Sequence, residues 1–302
     1  MDTVPGRRVV LGVWALVALD LVLTLITYAR LPASELYNVG GGGFEAGLSR
    51  VVVESNYPAA LMAIAVLLAA GPRPRALAWL AAALCLVVVI PNVVDLDNLE
   101  AKWVNAVPAA GVLLAFVLSV RTGVPRARRA GPVRIALAVA LSLVCSEWIA
   151  AELGFYLDGA PVFDRIFQTG KTIVSPAPAH PAVHHGVHHG WQGLLLILTG
   201  LLLTRLPLHR AAAPFFALLI AYGAGNIAND GSTEQIVERG WTSSPFPDVL
   251  RPDLNWGWAV VLGAAVVIWS VWLRRSGDRR GAGGERRGSA PYLTPLRPRT
   301  PR

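Results

Sequence analysis

Cysteine is nearly absent from this chain: Cys85 and Cys145 are the only two among 302 residues, and both fall inside apolar runs. That leaves no basis for a disulfide framework or a thiolate metal centre, and both thiols read as small buried side chains. Charge is scarce as well. Asp, Glu, Lys and Arg make up 15% of the residues, where a soluble domain of this length carries about a quarter. Familiar catalytic signatures are also missing. There is no GxSxG elbow, HExxH pair, Walker loop or dinucleotide fingerprint, so nothing supports nucleotide or serine-nucleophile chemistry. Four consecutive glycines at residues 40–43 have no strand before them and no lysine-serine pair after them, and mark a turn rather than a phosphate loop.

What is present is hydrophobicity, at 54% of the residues. It is arranged in blocks long enough to cross a bilayer, which takes roughly 20 apolar residues per helix. Eight segments meet that description, at about 9–29, 52–71, 75–94, 104–121, 133–153, 186–206, 211–228 and 256–273. The second is the least apolar, because Glu54 and Asn56 stand at its start. The expected fold class is all-α: a polytopic integral membrane protein, a bundle of about eight transmembrane helices.

The basic residues give this bundle a direction. With the N-terminus inside, 20 of the 27 Lys and Arg residues lie in inner loops or the C-terminal tail, and 15 of the 19 acids lie on the other face. That bias sets topology. Both termini are therefore expected to be cytoplasmic, in the cell membrane. The net charge of +8 does not point to nucleic acid, because residues 274–302 alone carry nine arginines against two acids. Rich in Gly, Pro and Arg, that tail cannot bury a core and is expected to lie along anionic lipid headgroups. The organisation expected is a transmembrane domain over 1–274 and a disordered basic cytoplasmic tail over 275–302.

Five of the six histidines, His180, His184, His185, His188 and His189, fall within ten residues at the outer end of the sixth segment. Pro181 is suited to the first position of a helix, where no backbone donor is needed. A helix starting near His180 would set His184/His188 and His185/His189 at i,i+4, the spacing that lets two imidazoles reach one metal. Gln192 would lie one turn deeper on the same arc. Gly186, Gly190, Gly193 and Gly200 would line the adjacent face as a small-residue seam for close helix approach.

The strings "HPAVHH" and "HHGVHH" resemble the histidine boxes of membrane fatty-acid desaturases and hydroxylases. The resemblance covers about ten residues and a single box. It implies that imidazoles grouped this way can hold iron or zinc.

A catalytic metal would need carboxylate neighbours at the same depth. Glu147 and Glu152 end the fifth segment, Asp95, Asp97 and Glu100 end the third, and Glu54 starts the second. Asn226, Asn229 and Asp230 end the seventh. Glu147 and Asp95 are the catalytic candidates, Glu147 because an intramembrane carboxylate is costly. Asp20, midway along the first segment, reads as a packing or proton-path residue away from the histidines. The leading expectation is a metal-dependent membrane enzyme, with iron or zinc held by the histidines, acting on a lipid-like substrate from the bilayer. A transporter or channel with a histidine-rich metal or proton entry site, and a structural subunit docking to a membrane partner, are the other readings.

Overall fold

The computed structural model describes residues 3–30, 43–94, 101–153, 168–173, 180–183, 189–237, 240–250 and 255–273. The described chain is mostly helical. It holds α1 (Gly6–Arg30), α2 (Gly43–Glu54), α3 (Asn56–Ala70), α4 (Arg75–Leu86), α5 (Ala106–Val120), α6 (Pro132–Val144), α7 (Ser146–Glu152), α8 (His189–Leu203), α9 (Ala213–Asp230) and α10 (Trp256–Ile268). A helix lies in each of the eight apolar segments. Among the described residues, four helical runs are long and apolar enough to cross a membrane, or five when the bent pair α2–α3 counts as one span. The expected disordered tail lies outside the described residues.

Local chemistry sets the helix ends. Gly71 takes the left-handed conformation and donates its N–H to the Leu67 carbonyl at 3.0 Å, closing α3; glycine adopts that geometry without a Cβ clash. Pro132 opens α6 at its first turn. Asn255 caps α10 by accepting from the Trp258 N–H at 3.0 Å.

One end of the bundle is tied together by backbone. Strand β1 (Thr3–Val4) pairs antiparallel with β2 (Ala127–Arg128), in the register Thr3↔Arg128 and Val4↔Ala127. Arg128 in turn exchanges hydrogen bonds with Arg205: the Arg128 N–H donates to the Arg205 carbonyl at 3.0 Å, and Arg205 Nε donates to the Arg128 carbonyl at 2.8 Å. The N-terminus, the α5–α6 loop and the α8–α9 loop thus share one end.

The glycine seam is real where it is described. A Cβ on Gly193 would sit 2.4 Å from the Gly223 carbonyl oxygen, and one on Gly200 would sit 2.5 Å from Ile220. Gly193 lets α8 and α9 meet backbone to backbone, and Gly200 makes room for the Ile220 side chain. Gly190 instead receives the Trp148 ring of α7. Gly186 lies outside the described residues.

The outside of the bundle is apolar. Leu11, Leu19, Val22 and Ile26 on α1, Trp79 on α4, and Val260, Leu262 and Val266 on α10 are all exposed. Helix α6 buries no residue at all. In water so broad an apolar surface would drive aggregation, whereas lipid tails solvate it.

Three expectations need correcting. The second helical segment begins at Gly43, nine residues before the apolar run, and bends by 48° at Ser55. The fifth is two pieces, α6 and α7, separated at Cys145. The sixth does not begin near His180. His180–Val183 form strand β4, paired antiparallel with β3 (Gln168–Ile173) in the register Ile173↔His180, and α8 starts at His189. β-branched Thr and Ile in β3 favour pairing.

Candidate functional site

On α1, Asp20, Thr24, Thr27 and Tyr28 are all buried. Their i, i+4, i+7, i+8 spacing puts them on one helix face. Against that face comes the break between α2 and α3. Pro58 has no N–H, so the carbonyl four residues earlier, that of Glu54, loses its helical donor. Gln192 of α8 supplies one instead, Nε2 donating to the Glu54 carbonyl at 3.2 Å. A freed backbone group inside a bundle is tolerated when a neighbouring helix satisfies it in this way.

The break delivers its own side chains to α1. The hydroxyls of Thr24 and Ser55 are 2.9 Å apart, and Tyr28 OH donates to Glu54 Oε1 at 3.3 Å. One turn away, the Thr27 hydroxyl reaches both the backbone carbonyl and the carboxylate of Glu152, at the end of α7. Asp20 is 1% exposed and Glu152 1% exposed, although both are carboxylates. Asp20 lies within electrostatic reach of Glu152 and Glu54, and Ser55 lies beside it outside hydrogen-bonding geometry. Among the described residues, neither oxygen of Asp20, nor Oε2 of Glu54, meets a hydrogen-bond partner. Three acids therefore converge in the interior of an apolar bundle.

Two basic groups flank them. Arg50, fully buried on α2, stands over the Tyr28 ring at 5.6 Å from its centroid and interacts with Glu54. His189, at the first position of α8, also acts on Glu54, and its Nδ1 lies 3.4 Å from Gln192 Oε1. The polar residues thus form a file from His189 through Gln192 and Glu54 to Ser55, Thr24 and Asp20. Asp20 lies ten residues from the Arg30 end of α1, about 15 Å at 1.5 Å per residue. Towards the other end, Val10, Val13 and Val17 are buried and apolar.

A second set of polar contacts fixes the mouth of this file. Asp230 Oδ2 accepts from the Gly190 N–H at 2.6 Å, anchoring a carboxylate at the α8 N-terminus. Glu234, in the π-helical turn Gly231–Val237 that extends α9, accepts from Trp148 Nε1 at 2.7 Å. Asn229 donates to the Phe246 carbonyl at 2.7 Å.

Of the residues singled out by sequence, Asp95, His184, His185 and His188 lie outside the described residues. His180 begins β4, away from the helix expected to carry it. Glu147 is half-buried beside Cys145 in the first turn of α7, not sunk in the bundle. Among the described residues, no group of three His, Cys, Asp or Glu side chains is arranged to hold a metal. The carboxylates that go deep are Glu54, Glu152 and Asp20. Glu54 and Glu152 lie at one depth, as their places in the sequence suggest, whereas Asp20 is nearer to them than its place midway along α1 suggests. Pro58 is the signal in the sequence for the break that sets Glu54 against Asp20.

Together the apolar surface, the long apolar helices and the polar file define the class: an α-helical membrane protein with a buried, acidic interior site. No family model, curated protein or solved structure matches the chain.

Proposed function

We propose that the protein binds a proton or a small cation at Asp20 and Glu54, beside the Thr24 and Ser55 hydroxyls, as a membrane transporter or channel entered from the outer side past His189. In this reading all eight helical segments cross or enter the cell membrane, and both termini are cytoplasmic. The observation that carries it is the helix break at Ser55, which sets Glu54 against Asp20, with both Asp20 oxygens and Glu54 Oε2 meeting no hydrogen-bond partner among the described residues. An uncompensated carboxylate in a low-dielectric interior costs several kcal/mol, and a proton or a cation removes that cost. Interrupted helices are also where membrane transporters commonly build such sites.

The metal-dependent enzyme is the second reading, with iron or zinc on the histidines and a lipid-like substrate. One observation favours it: the polar file ends at Asp20, as a site served from one face would. The two readings part on a pair of measurements. If the cation reading is right, purified protein carries no stoichiometric iron or zinc, and thermal unfolding in cation-free buffer moves upward on adding one of sodium, potassium or calcium. Stoichiometric iron or zinc, lost in both His184→Ala and His188→Ala, would establish the enzyme reading instead.

The topology is tested separately. Cysteines introduced at Ser175 and Thr233 should react with an impermeant thiol reagent in intact cells, and one at Ser276 should not. Reversed labelling would put the mouth of the file in the cytoplasm.

A further inference from the structure

The opposite end of the bundle carries a different cavity, of about 550 Å³, between the α5–α6 loop, the start of α6, the end of α8 and the π-helical turn Trp269–Leu273. Arg128, Arg129, Arg134 and Arg205 all line it, and no acidic side chain does among the described residues. Its other walls are apolar, with Leu137 and Trp272 prominent.

Two of the arginines are held in place. Arg134 Nη1 donates to the Leu201 carbonyl at 2.8 Å while its guanidinium stands over the Trp272 ring at 5.0 Å. Arg205 Nε donates to the Arg128 carbonyl at 2.8 Å. Each keeps further N–H donors, since a guanidinium has five. Arg205 and Arg128 lie close enough to Arg134 to repel it. Folding gains nothing from bringing like charges together, whereas an anion bridging them turns the repulsion into binding. The apolar wall continues onto the exposed outer face of α6, where Val133 is 81% exposed and Leu137 is also bare. A free anion has no use for such a wall, but an acyl chain does.

We propose that this cavity binds the phosphate of an anionic phospholipid, with the headgroup among the four arginines and an acyl chain along α6. Basic pockets between membrane helices are suited to such headgroups, and arginine matches phosphate oxygens through paired N–H donors. This site is separate from the carboxylate cluster and does not depend on its role.

The test compares thermal unfolding of the purified full-length protein in neutral detergent with added phosphatidylglycerol, phosphatidylcholine or inorganic phosphate. Phosphatidylglycerol should raise the midpoint in a saturable way, while phosphatidylcholine and inorganic phosphate should not. Arg134→Gln should weaken the apparent affinity about fivefold or more. Arg128→Gln alters an exposed side chain and should fold normally, so it decides the matter if Arg134→Gln does not fold. Arg7→Gln, a basic residue outside the cavity, should respond as wild type does. Equal stabilisation by phosphatidylcholine, or an unchanged response in Arg128→Gln and in any folded Arg134→Gln protein, would overturn the proposal. Equal stabilisation by inorganic phosphate would overturn the lipid source and leave a soluble phosphate as the ligand.

Discussion

Gly193→Ala should lower the stability of the protein by about 2–3 kcal/mol, the cost of overpacking a tight contact. The added methyl would lie 2.4 Å from the Gly223 carbonyl oxygen and 3.0 Å from Asn226 Cβ. The first of these is backbone and cannot rotate away, so α8 and α9 must separate. Separation loosens Leu194, Ile197, Phe216 and Ile220, which are buried along those two helices. Domains are stable by only about 5–15 kcal/mol in total, so Gly193→Leu should not accumulate as folded protein. Gly12→Ala is the matched control, because its nearest neighbour would be Leu202 Cδ1 at 3.7 Å, an ordinary contact. Thermal unfolding and gel filtration in detergent compare the variants. A Gly193→Ala protein as stable as Gly12→Ala would contradict the close crossing of α8 and α9.

Glu54→Gln should weaken cation binding at least tenfold while leaving the fold intact. The substitution keeps the shape, and the glutamine carbonyl can still accept from Tyr28. What it removes is one ionisable carboxyl group, and an interaction with a charged group is worth about 1.5–3 kcal/mol, where about 1.4 kcal/mol is a factor of ten. Asp20→Asn should act in the same direction. Glu147→Gln should change binding little, since Glu147 is half-buried and outside the cluster. The comparison separates the two functional readings, because a histidine-bound metal using Glu147 as its base would reverse the order of the effects. Cation-dependent shifts in the unfolding midpoint, measured on all three variants, supply the comparison.

The helices were legible because lipid imposes a simple rule, an apolar run of sufficient length, and each of the eight runs holds one. Gly193 and Gly200 were legible too, since small residues on one face have few other uses in a membrane helix. The start of the sixth helix was not. Pro181 fits the first turn of a helix and also fits a short strand, and only the pairing of His180–Val183 with Gln168–Ile173 decides between them. The site was legible in parts. Gln192, Glu54 and Glu152 could be placed at one depth by counting, but counting treats each helix as straight. The bend at Ser55 is a local event, caused by a proline four residues beyond Glu54, and it brings Glu54 and Ser55 against Asp20. The histidines drew attention because they are crowded in sequence, whereas the acids are crowded only in space.

The central claim is that the buried acids take up a proton or a cation, and difference infrared spectroscopy of the reconstituted protein tests it directly. The carboxyl and carboxylate stretching bands are read as pH is changed and as sodium, potassium or calcium is added. Wild-type protein should show a saturable change in these bands, and the change should be reduced in both Asp20→Asn and Glu54→Gln but kept in Glu147→Gln. Bands that respond to neither pH nor cation, or a response untouched by Asp20→Asn and Glu54→Gln, would contradict it.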